Sequence, residues 1–198
     1  EETKQRTLEN TWHEIENLAT LIASQMDADA LAQLKEGDEN TTQFQKMISD
    51  LWAMQNKHAD IRFVYTLTKK GDKLAFLTDS EYGHNDFTEP LIGYIYEQAP
   101  PEAFKGFESV SLRKEYYTDE WGTYMSAFAP IRNSTGQTVA IVGVDIPKEV
   151  IENRMRSIVN VGYLILITTT ALSFLLILLI MYGIRIVGEC QKRLEESE

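Results

Sequence analysis

In this 198-residue sequence, Asp145 is the residue whose position most clearly indicates a chemical role. It follows an apolar run, residues 139–144, and precedes Ile146 and Pro147, so its carboxylate is expected at or just inside the edge of the core. An ionised carboxylate in such a place is costly unless it is paired or hydrogen-bonded. Two interpretations stay open: Asp145 binds the ammonium group of a ligand, or it caps a helix that begins after Pro147.

Aromatic side chains close to Asp145 in the sequence could form the rest of a binding site. Trp121, Tyr124 and Tyr116 are expected to line an aromatic pocket, because ring faces pack on apolar ligand surface and attract cations. Ordinary packing on a sheet is the alternative for each of them. An acidic group together with aromatic rings favours an amine-bearing small molecule over a simple carboxylate as the ligand.

Further candidates come from the other predicted strands. Tyr65 and Asp79 lie on two strands that should pair, so they could face the same cavity, and Ser126 could donate a hydrogen bond from the strand face of Tyr124. Arg113 is the nearest basic candidate for a ligand carboxylate, although an exposed position on a strand is its other interpretation. The predicted ligand-binding residues are Tyr65, Asp79, Tyr116, Trp121, Tyr124, Ser126 and Asp145.

The sequence contains none of the familiar patterns of catalysis or metal binding. His13, His58 and His84 are far apart, without the spacing of metal ligands. No HExxH, GxSxG or glycine-rich phosphate loop is present. We therefore predict no catalytic residues, no metal and no cofactor, and no enzyme activity for this chain. A formal net charge of -11 also argues against a nucleic-acid partner.

The helices and strands that must position these residues can be predicted from the spacing at which apolar residues recur along the sequence. An apolar stripe predicts a long first helix, broken at residues 37–40, and a second helix follows over residues 41–57, with Asn40 or Thr41 as its N-cap. The apolar stripe consists of residues that recur at alternating spacings of four and three: Leu8, Trp12, Ile15, Ala19, Ile22 and Met26. It could pack on the domain's own sheet, or form a seam with a parallel helix in a homodimer.

Beyond residue 60 the pattern is that of strands. Residues 61–67 and 73–79 form a hairpin around Gly71, and an irregular aromatic connection over residues 80–117 includes a short helix at 91–98. Later strands are expected at residues 108–116, 121–131 and 137–146, the last of them central because it is apolar on both faces. The fold class is α+β, with a PAS-like antiparallel sheet of about five strands and a long N-terminal helix.

A long apolar run follows the last strand. Between residues 157 and 184 the ionisable groups are the phenols of Tyr163 and Tyr182, and roughly 20 apolar residues suffice to cross a bilayer as a helix. We expect residues 1–157 to form an extracytoplasmic domain, residues 158–184 a transmembrane helix and residues 185–198 a cytoplasmic tail. Cys190, the single cysteine, suits a reducing compartment. The heptad-like spacing of Ile180, Ile184, Val187, Gln191 and Leu194 suggests the start of a dimeric signalling helix.

The closing segments resemble a known family. Residues 118–131, Gly136 and residues 139–146, together with the earlier hairpin that ends at Asp79, are similar to an extracytoplasmic single Cache domain, also called PDC, which is PAS-like. The resemblance implies the ligand-binding input domain of a transmembrane receptor that signals to a cytoplasmic module such as a histidine kinase in a two-component system. It also implies an aspartate that binds amine ligands at the position of Asp145. A membrane-anchored hydrolase and a protein-binding module stay as alternatives.

Overall fold

The computed structural model describes residues 2–84 and 91–195, and the side chains of residues 5–84, 91–190, 192 and 193. Phe87 and Pro90 of the predicted aromatic connection lie outside the described residues, as do the side chains of Gln191 and Leu194 in the predicted tail heptads. The chain divides into two compact units, Glu1–Glu152 and Asn153–Glu198.

The order of elements is close to the one predicted. In chain order they are α1 (Glu2–Gln25), α2 (Ala28–Gln33), α3 (Thr42–Asn56), β1 (Phe63–Lys70), β2 (Lys73–Asp79), α4 (Pro101–Lys105), β3 (Ser111–Asp119), β4 (Gly122–Arg132), β5 (Thr138–Pro147) and α5 (Lys148–Glu195). Thr41 is the N-cap of α3, and its hydroxyl accepts a hydrogen bond from the N–H of Phe44 at 3.2 Å. Gly71 turns the β1–β2 hairpin with a φ of 66°, a left-handed conformation that glycine adopts at little cost.

The five strands form one antiparallel sheet in the order β2-β1-β5-β4-β3. β5 is the central strand, as its apolar character on both faces predicted. The pairing of β1 with β5 joins residues about 80 positions apart: Phe63 lies opposite Asp145, and Tyr65 lies opposite Gly143. On the other side of β5, Ser126 of β4 also lies opposite Asp145. The register therefore places three strands around one carboxylate.

The two faces of the sheet have different surroundings. α1 packs against β3, β4 and β5, and α3 packs against β1 and β2. Ile15 of α1 and Ile146 of β5 line a common cleft, so α1 covers the face that carries Ile146. Because side chains alternate along a strand, Asp145 points to the opposite face. On that face Gly106 follows the last residue of α4, and an added Cβ there would lie 2.7 Å from Cβ of Phe128.

One predicted helix end and one predicted helix are wrong. The first helix ends at Gln25 and not at residue 37, because Asp27 begins a separate helix by accepting a hydrogen bond from Ala30 N at 2.9 Å. Residues 91–98 do not form a helix. They run along the outer edge of β2, where Phe76 N donates to Tyr94 O and Tyr96 N donates to Leu74 O, both at 2.9 Å. These bonds to β2 replace the intrahelical bonds that a helix would have made.

Helix α5 is long and apolar enough over Lys148–Cys190 to cross a membrane, and it is the one helix in the described part of the chain that meets this criterion. Its side chains from residue 156 to residue 190 are exposed. The threonine hydroxyls within it bond back to the helix, as Thr169 does to Ile165 O at 2.9 Å and Thr170 to Leu166 O at 2.8 Å. Such bonds satisfy polar groups within the helix itself, which an apolar environment demands.

Candidate ligand-binding site

A cavity of about 230 Å³ lies between the sheet and the connection that follows β2. This is space for roughly eight water molecules, the size of a small metabolite. Its walls are mostly aromatic, and the described lining residues carry four carboxylates and one cation. They are Arg62, Phe63, Tyr65, Phe76, Asp79, Glu81, Tyr82, Leu91, Tyr94, Tyr96, Asp119, Trp121 and Asp145.

Asp145 lies in the wall of this cavity with 3% of its surface exposed. Its Oδ1 atom accepts hydrogen bonds from the hydroxyls of Ser126 at 2.5 Å and Tyr65 at 3.2 Å. The carboxylate is thus held by β4 and β1 and does not cap α5. Burial raises the pKa of Asp145 to about 8, although the Ser126 hydroxyl lowers it. Both hydroxyls bond to Oδ1 and leave Oδ2 without either of them.

Tyr65 reaches Asp145 because residue 143 is a glycine. The Tyr65 ring lies over Gly143, where an added Cβ would be 2.4 Å from Cε2 of the ring. The ring also packs against Phe76 at 5.5 Å and Tyr96 at 6.4 Å between centroids. Gly143 therefore makes room for the hydroxyl that orients the carboxylate.

Asp79 ends β2 opposite Tyr65 and lines the same cavity. Its Oδ1 accepts a hydrogen bond from Glu81 N at 2.8 Å. Burial raises the pKa of Asp79 to about 7, while that backbone hydrogen bond lowers it. Nearby Arg62, the cation of the described lining, pairs with Glu81 at 3.5 Å between Nη1 and Oε1. Much of the charge of Arg62 is therefore already offset.

The turn between β3 and β4 closes one side of the cavity. Asp119 Oδ1 accepts hydrogen bonds from Trp121 N at 2.9 Å and Gly122 N at 3.1 Å, which fixes this turn. The Trp121 ring is 37% exposed, and its edge-on contacts reach Phe76 at 5.8 Å and Tyr96 at 5.6 Å between centroids. Trp121 thus lies between solvent and the aromatic wall.

Four of the seven residues predicted from sequence line the cavity: Tyr65, Asp79, Trp121 and Asp145. Ser126 is buried behind Asp145 and bonded to it. Tyr124 packs on Phe63 and Tyr117, and its hydroxyl donates to Trp121 O, so it supports the wall from behind.

Tyr116 lies apart from the cavity, under the ammonium group of Lys148, which is 5.6 Å from the ring centroid. Arg113 is also elsewhere, since it pairs with Glu102 at 3.5 Å and with Glu115 at 3.7 Å. The basic residue that does line the cavity is Arg62. It directly precedes β1, and the proximity of β1 to β5 could not be read from the sequence pattern.

Several lining residues were missed by the sequence analysis. Asp119 appeared only as part of a motif, and Tyr94 and Tyr96 only as aromatic residues of an irregular segment. The signal that could have identified Tyr94 and Tyr96 is their spacing of two, which is the period of an extended chain and not of a helix. Among the described residues no group of three His, Cys, Asp or Glu side chains is arranged to hold a metal ion.

Solved structures that match this chain include the ligand-binding domains of two chemoreceptors and the extracellular domain of a histidine kinase. The ligand-binding domain of the Campylobacter jejuni chemoreceptor Tlp3, in complex with 4-methylisoleucine, matches with a TM-score of 0.51 and 15% identity over 77% of this chain and 57% of that one. The ligand-binding domain of the Pseudomonas aeruginosa amino acid chemoreceptor PctC, in complex with GABA, has a TM-score of 0.41 and 14% identity, with coverages of 79% and 63%. The extracellular domain of mmHK1S-Z2, assigned as a histidine kinase, has a TM-score of 0.38 and 15% identity, with coverages of 73% and 62%.

The chain thus shares its fold with the Tlp3 ligand-binding domain, which confirms the predicted resemblance to a Cache domain at the level of fold. It spans less than two thirds of the length of each of these neighbours. No protein-family model matches the sequence, and no curated protein does either. At such low identity the likeness establishes the fold and not the ligand.

Proposed function

We propose that residues 1–157 are the extracytoplasmic ligand-sensing domain of a membrane signalling receptor. Residues 158–184 would span the membrane, and residues 185–198 would begin a cytoplasmic signalling helix that acts in a homodimer. The observation that carries this proposal is the aromatic cavity with Asp145 in its wall, on the strand that leads directly into α5. The protein-binding alternative has weaker support, because the large apolar side chains exposed on the described part of the first unit lie on different elements; they are Leu21, Trp52, Phe104 and Trp121.

The proposed ligand is a small amine-bearing metabolite. Oδ2 of Asp145 is available to an ammonium group, and Asp79 and Asp119 add negative potential in the same cavity. The aromatic rings around them attract cations. The ligand-binding role of Tyr65, Asp79, Trp121 and Asp145 is therefore proposed as direct, and that of Ser126 and Tyr124 as support for them.

The proposed signalling step is a shift between two conformations of the closing strands. An ammonium group at Oδ2 changes the charge of Asp145 and therefore the hydrogen bonds that Tyr65 and Ser126 make with it. Because these hydroxyls belong to β1 and β4, any change in their bonds acts on the strands that flank β5. Lys148, the first residue of α5, follows Asp145 by three positions, so the change reaches the helix through a short piece of chain.

Thermal unfolding of the 198-residue chain in detergent micelles tests this proposal. The probes are L-isoleucine, 2-methylbutylamine, which lacks the carboxylate, and 3-methylpentanoate, which lacks the amine. A ligand at a hundred times its dissociation constant stabilises the native state by about 2.7 kcal/mol, a shift of several degrees in Tm. The two amines are expected to stabilise the chain and 3-methylpentanoate is not.

The matched variants are Asp145→Asn and Asp72→Asn. Asp145→Asn should abolish the shift because it removes the cavity carboxylate, whereas Asp72→Asn changes an exposed turn residue and should leave the shift intact. Stabilisation by 3-methylpentanoate alone would overturn the choice of an amine ligand. An equal shift in parent and Asp145→Asn would show that the ligand binds elsewhere.

A further inference from the structure

Two of the cavity carboxylates are joined by a row of three hydroxyl groups. From one end to the other, Asp119 Oδ2 is 2.6 Å from the Tyr96 hydroxyl, which is 3.4 Å from the Tyr117 hydroxyl. The Tyr117 hydroxyl is 2.9 Å from Ser126 Oγ, which is 2.5 Å from Asp145 Oδ1. The row crosses from the connection after β2 through β3 and β4 to β5, and Ser126, next to Asp145, is 1% exposed.

The number of protons in this row decides which contacts can be hydrogen bonds. Four contacts join five groups, and each of the three hydroxyls has a single proton to donate. If both carboxylates are ionised, three protons serve four contacts, so one contact has none. Tyr96 then donates to Asp119, Ser126 donates to Asp145, and Tyr117 donates to Ser126. The contact left without a proton joins Tyr96 to Tyr117, and this is the longest of the four.

One added proton completes the row. With the proton on Asp145, its carboxyl donates to Ser126, Ser126 to Tyr117, Tyr117 to Tyr96, and Tyr96 to ionised Asp119. All four contacts are then hydrogen bonds that point in one direction. The protonated row therefore contains one hydrogen bond more than the doubly ionised row, and aligned hydrogen bonds of this kind strengthen one another.

We propose that the unliganded domain stores one exchangeable proton between Asp145 and Asp119 along this row, and that a cationic ligand binds by displacing it. The step is balanced: the O–H bond of the Asp145 carboxyl breaks, its proton passes to a base in solution, and the ligand ammonium replaces the lost positive charge. The hydroxyls of Ser126 and Tyr117 then turn towards Asp145. This inference rests on the proposed function, because it concerns the same cavity.

The surroundings of the row favour a stored proton. Burial raises the pKa of Asp145 to about 8 and raises those of Tyr96 and Tyr117, so the tyrosines keep their protons. The charged and titratable groups that face Asp145 from the elements around it include Asp79 of β2 and Asp119 of β3, both acidic. The full set among the described residues is Arg62, Tyr65, Asp79, Glu81, Tyr82, Tyr94, Tyr96, Tyr117, Asp119 and Tyr124.

The exchange would set the specificity of the cavity. A cation replaces the proton at no change in net charge, whereas a neutral molecule of the same shape leaves the proton in place and gains no ionic partner. Affinity for an amine should therefore rise with pH, up to the pH at which the unliganded domain has already lost the stored proton. Tyr117, which does not line the cavity, would act as a positioning residue through its hydroxyl.

Infrared spectroscopy of the unliganded 198-residue chain tests the stored proton without any ligand. At pH 7 we expect the C=O stretch of protonated Asp145, measured as the part of the carboxylic acid band that Asp145→Asn removes. Asp79, whose pKa burial raises to about 7, gives the remaining part. Tyr117→Phe removes two hydrogen bonds from the protonated row but only one from the ionised row. The midpoint for loss of the band should therefore fall by about half a pH unit to one pH unit.

The control for Tyr117→Phe is Thr118→Val, which removes a neighbouring hydroxyl on β3 that is paired with Thr123 and lies outside the row. It should leave the midpoint unchanged. Ser126→Ala removes the hydroxyl that lowers the pKa of Asp145, so it should raise the midpoint, in the opposite direction to Tyr117→Phe. Shifts of opposite sign in the two variants would not come from a common folding defect. A band that is absent at pH 7, or a midpoint unmoved by both variants, would overturn the proposal.

Calorimetric titration with 2-methylbutylamine in phosphate and in Tris at pH 7 separates this inference from the proposed function. These buffers differ in their heat of protonation, so the difference in observed heat counts the protons released. We expect close to one proton per bound amine, and fewer above pH 9. Binding with no proton release overturns the exchange but not the sensor. If no amine binds while the infrared band behaves as expected, the amine assignment fails and the stored proton stands.

Discussion

Replacing Gly143 by alanine tests how the site is built, because the space beside Gly143 is filled by the Tyr65 ring. The new Cβ would lie 2.4 Å from Cε2, 2.5 Å from Cζ and 2.8 Å from the hydroxyl of Tyr65. An ordinary carbon–carbon contact is about 3.5–4.0 Å, so the ring must move by roughly an ångström. The hydrogen bond from Tyr65 to Asp145 is already 3.2 Å long, and such a displacement breaks it.

The cost of Gly143→Ala follows from these two effects. Overpacking a core costs about 1–3 kcal/mol, and a lost hydrogen bond to a neutral carboxyl about 0.5–1.5 kcal/mol. We expect the free energy of unfolding to fall by about 2–4 kcal/mol. For a chain of this size, Tm should fall on the order of 10 °C. Circular dichroism of the chain in detergent micelles measures both.

A double-mutant cycle with Tyr65→Ala identifies the cause. With the ring removed, the three atoms nearest to the Cβ added by Gly143→Ala are gone, so this substitution should cost less than about 1 kcal/mol in that background. The two substitutions should therefore be strongly non-additive. If Gly143→Ala destabilises the chain equally with and without the Tyr65 ring, or not at all, the close approach of ring and backbone is not what requires glycine at this position.

Three further predictions concern stability. Because the pKa values of Asp79 and Asp145 are raised, the folded, unliganded chain binds more protons than the unfolded chain, and its free energy of unfolding should fall as pH rises from about 4 towards 8. The expected slope is on the order of 1 kcal/mol per pH unit for each carboxyl. Denaturant titrations at several pH values measure this slope, and a slope unchanged in Asp145→Asn would contradict the prediction. Thr41→Ala should cost about 1 kcal/mol by removing the N-cap bond of α3, measured as a lower urea midpoint, and an unchanged midpoint would mean that water replaces the cap. Ile15→Ala, at a buried position of α1, should lower the free energy of unfolding by about 2–5 kcal/mol. Leu21→Ala, on the exposed side of α1, should lower it by less than about 1 kcal/mol. Equal losses of stability in thermal unfolding would refute the assignment of the buried and exposed faces of α1.

The parts of the fold that depend on neighbours in the sequence could be predicted. Gly71 between two β-branched and aromatic runs was enough for the β1–β2 hairpin, and Thr41 before an apolar stripe was enough for the start of α3. Asp145 could be singled out because a carboxylate after six apolar residues needs a partner wherever it lies. These inferences depend on local backbone chemistry or on burial, both of which a short stretch of sequence reveals.

The parts that depend on distant pairing could not be predicted. Nothing in residues 61–67 indicates that they lie beside β5, so the position of Arg62 at the cavity was missed and Arg113 was considered in its place. The segment around Tyr94 and Tyr96 was assigned to a helix because its bonds to the edge of β2 are invisible in the sequence. Asp119 and Tyr117 gain their importance only from the register of β3 on β4, which joins them to Ser126 and Asp145.

The segment that runs along β2 also has a consequence for the solubility of the chain. An exposed strand edge is a template on which a second chain can add a strand and begin to aggregate. On the β2 side, Gly93, Tyr94 and Tyr96 occupy backbone groups of Phe76 and Leu74 that would otherwise be open to such pairing. On the opposite side, β3 carries consecutive charges at residues 113–115 and a break in its register with β4. The segment that lines the cavity therefore also prevents the edge strand β2 from pairing with a strand of a neighbouring molecule.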